Sequence, residues 1–380
     1  MSVKVILRKN LLRALCQGHP WVFRDALVEP PALPNGSLVT VATRDGRPVA
    51  HGYWTAAGPI AVRVLDLRPV SDARELIQAR LRQALARRLQ RLDLAETNAF
   101  RWVHGEADLL PGIHIDLYDR VATVRFDGEG ARAFYGDLRS LLVSCAEPLR
   151  LYHVVDREER VGTVGEIEVR ENGIRFIVDL DRGQKGGLFL DQRENRQTIA
   201  ARAASRSVLN LYGYTGGFSL YAARAGARST ETVDIARPAL ATARRNFRLN
   251  GLSLDRAGFH AMDAIEFLQQ AASRKRRWDI VIADPPSFAP KKSALPAARR
   301  AYLRLHVLAA SVVAPGGLLA AASCSSHLGR DEFLASIRQG VAAAGRSFRL
   351  QMVAGAGFDH PTLSTFPEGD YLKFVLGEVD

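Results

Sequence analysis

The sequence is poor in cysteine, with three among 380 residues, and this scarcity limits the classes of protein to which it can belong. Cys16, Cys145 and Cys324 are far apart, form no CxxC pair and have no cluster of histidines beside them. Scattered cysteines in odd number predict neither a disulfide framework nor a zinc site. We therefore expect no metal centre and a reducing compartment, the cytoplasm.

Long apolar segments, repeats and low-complexity stretches are also lacking. The first ten residues, MSVKVILRKN, have no apolar core of the kind found in signal peptides. The longest stretch without Lys, Arg, Asp or Glu, residues 305–329, is interrupted by Pro315-Gly316-Gly317. This pattern predicts a helix, a turn and then a strand, so we expect no membrane span.

Acidic residues are outnumbered, since 52 Lys and Arg face 40 Asp and Glu and give a formal net charge of +12. Such an excess favours a nucleic-acid partner, because basic side chains that neutralise phosphates release counterions; free use of arginine would give the same count. A helix predicted over residues 72–92 has leucines on one face and arginines, among them Arg80 and Arg88, on the rest. We expect that arginine face to be solvent-exposed, with an RNA contact as the alternative.

Three regions differ in their patterning. Residues 1–70 contain short alternating segments separated by Gly, Pro and Asn-Gly, which predicts a small β domain. Residues 71–181 add helical signals and an Asn172-Gly173 hairpin, which predicts an α+β domain. Residues 182–380 alternate strand and helix patterns, which predicts a mainly parallel sheet covered by helices on both faces. Ligands of such sheets bind at the carboxyl ends of the strands.

A glycine-rich turn, NLYGYTGGF, follows the first strand of this third region. Its glycines, Gly213, Gly216 and Gly217, allow close backbone approach to a ligand and expose N–H groups at the start of a helix. Asp234, at the end of the next strand, can accept hydrogen bonds from ribose hydroxyls. Asp263 either accepts from an adenine amine or caps a helix. Because the spacing is not GxGxxG, the set favours S-adenosylmethionine over a nicotinamide cofactor.

Two further strands end in reactive groups. WDIVIADPPSF closes on Asp284, and LLAAASCSSHL ends in Ser323-Cys324-Ser325, which we expect to form an exposed tip. Taken alone, Cys324 fits a small buried residue. If the two strands are neighbours, Cys324 and Asp284 face one cleft and suit methylation of cytosine carbon 5. That reaction needs a thiolate that adds to carbon 6, an acid that hydrogen-bonds N3, and a pocket for an extruded base.

The chain resembles the bacterial ribosomal RNA large subunit methyltransferase I family over nearly its whole length. The similar segments, in the family's order, are HPWVF, GEADLLPGIHID, GQKGGLFLDQRENR, NLYGYTGGF, ADPPSF, SCSSHL and DHPTLSTFPEGDYLK. The resemblance implies an α/β fold: a class I Rossmann-like methyltransferase domain (182–380), an N-terminal β-rich PUA domain that binds RNA (1–70) and a small α+β central domain (71–181). It also implies S-adenosylmethionine as cofactor and 5-methylcytosine formation in 23S ribosomal RNA, naked or in a large-subunit particle. It allows a homodimer.

The resemblance assigns roles by position. Cys324 would be the nucleophile and Asp284 the acid. Residues expected at the cofactor are Tyr212, Gly213, Tyr214, Thr215, Gly216, Phe218, Asp234, Asp263, Asp284, Gln184, Lys185 and Asp191, with Gln192 beside them. Residues expected at the RNA are Arg193, Pro285 and Phe288. Gly186 and Ser287 stand where the family usually has Thr and Lys, so a hydroxyl near the cofactor and a phosphate contact are missing.

Two other functions remain open at this point. An enzyme that methylates a ring nitrogen or an amine of guanine or adenine can also use an Asp-Pro-Pro-aromatic motif; there Phe288 would stack on the base and Cys324 would be idle. A non-catalytic RNA-binding assembly factor would explain the basic charge alone. Such a factor would need neither the glycine-rich turn nor Asp234, Asp284 and Cys324, so their presence favours an enzyme.

Overall fold

A computed structural model describes residues 2–157, 164–183 and 187–380, so the predictions made for Gln184, Lys185 and Gly186 lie outside the described residues. The chain forms two compact units, Met1–Thr163 with Phe358–Gly369, and Val164–Gly357 with Asp370–Asp380. The boundaries at residues 70 and 181 stay predictions. No helix in the described ranges is long and apolar enough to cross a membrane.

The first unit contains two sheets, each with its own hydrophobic core. The six-stranded sheet has the order β2-β6-β5-β4-β1-β3 and the four-stranded sheet the order β10-β9-β8-β7. The elements are β1 (Val3–Leu7), α1 (Leu12–Cys16), β2 (Trp21–Phe23), β3 (Leu27–Val28), β4 (Leu38–Ala42), β5 (Pro48–Trp54), β6 (Ile60–Asp66), α2 (Ala73–Leu89), β7 (Ala99–His104), β8 (Ile113–Tyr118), β9 (Val121–Phe126), α3 (Glu129–Tyr135), α4 (Arg139–Cys145) and β10 (His153–Asp156).

Helix α2 lies where the leucine pattern predicts it, but part of its arginine face is buried. Asp72 caps its first turn by accepting two backbone N–H groups. Arg80 and Arg88 are only 8% and 2% exposed, and Arg88 donates to both carboxylate oxygens of Asp108 at 2.6 and 2.7 Å. A guanidinium can be buried when a carboxylate pairs with it in this bidentate manner. The expectation of a solvent-exposed face is therefore wrong for these two arginines, and neither is placed to contact RNA.

The second unit contains a hairpin and a seven-stranded sheet with the order β15-β14-β13-β16-β17-β19-β18. Strands β13 to β17 are parallel, and β19 is antiparallel to β17 and β18. The elements are β11 (Glu166–Glu171), β12 (Ile174–Asp179), α5 (Arg193–Ala200), β13 (Ser207–Leu211), α6 (Gly217–Arg224), β14 (Ser229–Asp234), α7 (Arg237–Leu249), β15 (Ala257–Ala261), α8 (Ala264–Ser273), β16 (Trp278–Ala283), α9 (Leu295–Ser311), β17 (Val313–Ser323), α10 (Arg330–Ala343), β18 (Phe348–Ala354) and β19 (Lys373–Val379).

Alternate residues of the central strands face opposite sides of this sheet, as the period of two requires. In β16, Val281 and Ala283 pack in one core with residues of α8, α9 and α10, whereas Ile280 and Ile282 pack in another with residues of α5 and α6. Both faces of the sheet are therefore covered by helices. The parallel α/β architecture predicted for this region is confirmed.

The sequence pattern predicts that Pro315-Gly316-Gly317 forms a turn between a helix and a strand. This prediction of a separating turn is wrong. The segment lies within β17, where the register with β16 changes from Trp278↔Val313 to Ile280↔Leu318. The extra residues bulge out of the pairing, and Gly316 has the left-handed φ of 69° that such a bulge favours. The bulge lies near the amino-terminal end of β17, away from the end that carries Cys324.

The hairpin predicted at Asn172-Gly173 is confirmed by the pairing of β11 with β12. Glu171, beside its turn, belongs to a buried network of charged residues. Asn172 and Gly173 have φ of 51° and 71°, which are left-handed values typical of a two-residue hairpin turn. Glu171 beside them is fully buried and accepts from Arg196 of α5 at 2.7 and 2.8 Å and from the Tyr221 hydroxyl of α6 at 2.9 Å. This carboxylate joins the hairpin to two helices of the second unit.

Replacing Glu171 with Ala tests the importance of this network for stability. We expect the free energy of unfolding of the second unit to fall by about 3–5 kcal/mol, because the Arg196 charge would stay buried without its partner. Glu168→Ala, in the same hairpin, removes a surface pair with Arg175 and should cost less than about 1 kcal/mol. Urea unfolding measures both, and equal losses would contradict the assignment.

Candidate active site

A cavity of about 840 Å³ opens at the carboxyl ends of the parallel strands in the second unit. Tyr212 follows β13, Asp234 ends β14, Asp284 follows β16 and Cys324 follows β17, and all four line the cavity. Parallel strands present their carboxyl ends at one edge of a sheet, which is where α/β proteins bind ligands. The structure thus brings together the groups whose convergence the sequence predicts.

Most of the predicted site residues reach this cavity. Those that line it are Tyr212, Gly213, Tyr214, Thr215, Phe218, Asp234, Asp263, Asp284, Asp191, Pro285, Phe288 and Cys324. Gly216 is not among them; it caps α6 with a φ of 85°. Arg193 is also absent, because its side chain is 2% exposed and its Nε lies 3.7 Å from Oε2 of Glu171. That position does not favour the RNA contact predicted for Arg193.

Gly213 is required by packing within the protein. A Cβ at this position would lie 2.5 Å from Cγ2 of Thr232 and 2.9 Å from Nδ2 of Asn210. Contacts this short force the neighbours to move, so the turn must carry glycine whether or not a ligand is bound. Gly213 also lines the cavity, so the packing requirement adds to the predicted approach to a ligand, which stays a prediction.

Asp234 holds the turn that follows β13 next to the start of α7. Its Oδ2 accepts the N–H of Tyr214 at 2.8 Å and its Oδ1 accepts the N–H of Ala236 at 2.8 Å. Each carboxylate oxygen can accept more than one hydrogen bond, so the group keeps capacity for ribose hydroxyls. Ile235 is 76% exposed and also lines the cavity. The sequence pattern did not predict Ile235 as a site residue, although it is an apolar residue directly after an acidic strand end.

Asp263 serves as a helix cap and as a wall of the cavity. Its Oδ1 accepts the N–H groups of Ile265 and Glu266 at 2.9 and 3.1 Å, which is the capping geometry left open in the sequence analysis. Burial, helped by the Asp263 charge, raises the pKa of Tyr212 to about 12, so that phenol is a neutral hydrogen-bond donor. Further apolar wall residues, which the sequence did not predict, are Leu188, Phe189 and Met262.

An amide orients the Asp284 carboxylate. Gln192 Nε2 donates to Asp284 Oδ2 at 2.9 Å, and Asn195 Nδ2 donates to Gln192 Oε1 at 2.6 Å. The adjacent Asp191 accepts from the Tyr371 hydroxyl at 2.6 Å. The segment before α5 therefore lies at the cavity, as the sequence predicts for Asp191 and Gln192. The hydrogen bond that connects Gln192 to Asp284, 92 residues away in sequence, was not predictable from the local pattern.

Cys324 lies between two buried serines at the end of β17. Ser323 and Ser325 are fully buried, so the expectation that all three residues form an exposed tip is wrong; Cys324 alone of the three is partly exposed. The Tyr302 hydroxyl of α9 lies 2.8 and 3.0 Å from the two serine hydroxyls, and the Ser325 hydroxyl lies 3.1 Å from that of Ser287. This hydroxyl network fixes the end of β17 to the segment after β16 and turns only the thiol toward the cavity.

The wall of the cavity also offers a buried acceptor to a ligand. Oδ1 of Asn210 is buried and has no hydrogen-bond partner among the described residues, while its Nδ2 donates to Ser219 at 3.1 Å. Such an orphan acceptor costs free energy unless a donor reaches it. The Asn210 acceptor, the carboxylate of Asp234 and the apolar walls together fit an amino-acid-bearing nucleoside such as S-adenosylmethionine, whose amine is a donor.

Comparisons with known proteins identify the family of the chain. A family model described as an S-adenosylmethionine-dependent methyltransferase matches residues 159–351, and a PUA-like domain model matches residues 5–67. Relatives named "Ribosomal RNA large subunit methyltransferase I" from Alteromonas mediterranea and Shewanella amazonensis are 33% and 34% identical over all of this chain and 99% and 100% of their own length. The chain belongs to this methyltransferase family. Its cofactor is S-adenosylmethionine.

Solved structures support the fold at the scale of the whole chain. A methyltransferase from Streptococcus mutans has a TM-score of 0.85 at 21% identity, with 99% of this chain and 100% of that chain covered. A second methyltransferase, solved with S-adenosylhomocysteine, has a TM-score of 0.86 at 22% identity and the same coverage. The predicted fold class, a Rossmann-like methyltransferase with an N-terminal PUA-like domain, is confirmed by the family models and these structures.

The predicted role of Asp234 can be tested by cofactor binding. Asp234→Asn removes the negative charge and one set of acceptor lone pairs, so we expect S-adenosylmethionine to bind at least about tenfold more weakly by calorimetry. Asp255→Asn, which changes an exposed carboxylate of the same unit, should leave the dissociation constant unchanged. Wild-type affinity in the Asp234 variant would contradict the ribose assignment.

Proposed function

We propose that the protein uses S-adenosylmethionine to methylate carbon 5 of a cytosine in 23S ribosomal RNA, through a covalent adduct with Cys324. The observation that carries this proposal is the placement of Cys324 and Asp284 in the same cavity as Asp234, at the ends of neighbouring strands. The name of the relatives supports ribosomal RNA of the large subunit as the substrate, and the net charge of +12 agrees with such a partner.

The reaction needs a nucleophile because carbon 5 of cytosine is too poor in electrons to attack a methyl group unaided. A thiolate that adds to carbon 6 turns the ring into an enamine, whose carbon 5 is nucleophilic. Cys324 is the cysteine that the cavity offers, since Cys16 lies in α1 and Cys145 in α4 of the first unit. The position of Cys324 therefore supports a thiol with a chemical role.

The remaining steps use Asp284, the bound cofactor and a base. Asp284, acting as an acid, donates a hydrogen bond to N3 while the Cys324 sulfur bonds to carbon 6. Bound S-adenosylmethionine supplies the methyl group for carbon 5. A base then removes the proton from carbon 5, the carbon 5–carbon 6 double bond re-forms and the Cys324 thiolate leaves. The hydrogen bond from Gln192 fixes the direction of the Asp284 carboxyl group during these steps.

The segment after Asp284 provides room and a surface for an extruded base. Pro285 and Phe288 line the cavity, and the ring centroids of Phe288 and Tyr302 are 4.8 Å apart. Enzymes that modify bases hold the flipped base by stacking and by hydrogen bonds to its edge. Phe288 also supports the alternative in which a guanine or adenine amine is methylated, but that reaction gives no role to Cys324.

Replacing Cys324 with Ala separates these two reactions. For the carbon 5 mechanism we expect methyl transfer to ribosomal RNA to fall by at least about 10³-fold, because the other two cysteines lie in the first unit. Binding of S-adenosylmethionine should be retained. Cys16→Ala, at an exposed thiol outside this site, serves as the matched control and should keep full activity. Bisulfite sequencing of the RNA identifies the product, and unchanged methylation by the Cys324 variant would contradict the proposal.

A further inference from the structure

Lys373 is a buried cation beside the cysteine segment. It is the first residue of β19 and pairs in register with Ser323 of β17. Its side chain is among the most buried in the described part of the chain, with a residue exposure of 1%. Nζ donates to the carbonyl oxygens of Ser325 at 2.7 Å and Tyr371 at 2.8 Å. Lysines are rarely this buried unless their charge has a specific use or partner.

These contacts place the ammonium group along the backbone of Cys324. Lys373 lies opposite Ser323, the residue before the cysteine, and its Nζ donates a hydrogen bond to the carbonyl of Ser325, the residue after the cysteine. Losing the ammonium would free the Ser325 carbonyl and remove a positive charge beside the cysteine segment.

Lys373 remains charged at neutral pH. Burial lowers the pKa of Lys373 to about 8, while the carboxylate of Asp370 and the thiolate of Cys324 act in the opposite direction. At pH 7 a group with this pKa is still protonated in about nine molecules of ten. The ammonium form, which donates to both carbonyls, is therefore the form present under physiological conditions.

We propose that Lys373 is a positioning residue that fixes the Cys324 segment and stabilises the Cys324 thiolate by its charge. Lys373 acts on the thiol and does not contact the substrate. Its effect on catalysis rests on the proposed function, in which Cys324 is the nucleophile. A free cysteine is only a few per cent thiolate at pH 7, and an adjacent cation raises that fraction. An enzyme whose first step is attack by a thiolate gains from such a cation.

Other charged and titratable groups near this pair do not replace it. Arg330 and Asp370 pair with each other at 2.8 Å, so their charges largely cancel. Burial raises the pKa of the Tyr302 phenol, which therefore stays neutral. Asp284 lines the same cavity, and when ionised it would oppose a thiolate. Arg196 and Arg304 also line the cavity, and Arg196 is paired with Glu171. Lys373 differs from both because its ammonium donates directly to the segment that carries the thiol.

The pH dependence of alkylation tests this inference without relying on methylation. The rate at which iodoacetamide modifies the Cys324 peptide is followed by mass spectrometry from pH 6 to 10, with exposed Cys16 of the same molecule as internal reference. We expect an apparent pKa of Cys324 below the ordinary value of about 8.5. Lys373→Met should raise it by about one unit, Lys373→Arg should largely preserve it, and Cys16 should not change.

A second readout separates a charge effect from simple structural damage. With Lys373→Met we expect the kcat of methylation to fall by up to about tenfold at pH 7 and to recover as pH rises and the thiol ionises, with the KM for RNA unchanged. An alkylation profile of Cys324 that is the same with Met as with Lys overturns the inference. If Lys373→Met does not fold, the unaltered protein decides, because an apparent pKa of 8.5 or more overturns the inference too.

Failure of this inference and failure of the proposed function are distinguishable. Full methylation by the Cys324→Ala variant overturns the proposed function, whatever the alkylation profiles show. An unchanged alkylation profile in Lys373→Met, with methylation still dependent on Cys324, overturns only the role of Lys373.

Discussion

The adjacency of β16 and β17 in the parallel sheet is the constraint on which the candidate site depends. Their register places Ala283 opposite Ala321, so the chain emerges from both strands at the same edge, with Asp284 on one and Cys324 on the other. Alternate side chains of each strand pack in two separate cores, so a shift by one residue would exchange side chains of different size between those cores. The acid and the thiol therefore share a cavity as a consequence of packing far from either group.

Polar contacts then refine what the sheet places approximately. Hydrogen bonds between the Tyr302 hydroxyl and the hydroxyls of Ser323 and Ser325 fix the residues on either side of Cys324. The hydrogen bond from Gln192 orients the Asp284 carboxyl group. Buried networks of this kind specify one arrangement when every member is satisfied. Lys373 also donates a hydrogen bond to the backbone of this segment. Of Ser323, Cys324 and Ser325, Cys324 is the residue that lines the cavity.

Sequence patterns predicted the elements and much of the site, but not the partners of charged residues. The Asn172-Gly173 hairpin, the end of β14 at Asp234 and the strand before Asp284 follow from local turn chemistry and periodicity. The burial of Arg88 and Arg193 was not foreseen, because Asp108 and Glu171 lie 20 and 22 residues away in sequence and no local pattern connects them. The bulge at Gly316 was missed for a similar reason, since it depends on pairing with β16.

The most direct test of the covalent mechanism is to trap its intermediate. Incubation of the protein with S-adenosylmethionine and RNA containing 5-fluorocytidine should yield a protein–RNA conjugate that survives denaturation, because fluorine at carbon 5 cannot leave as a proton and the cysteine cannot be expelled. We predict that the nucleotide is attached to the peptide that contains Cys324. If unsubstituted RNA is methylated while fluorinated RNA gives no conjugate, the role of Cys324 as nucleophile is contradicted.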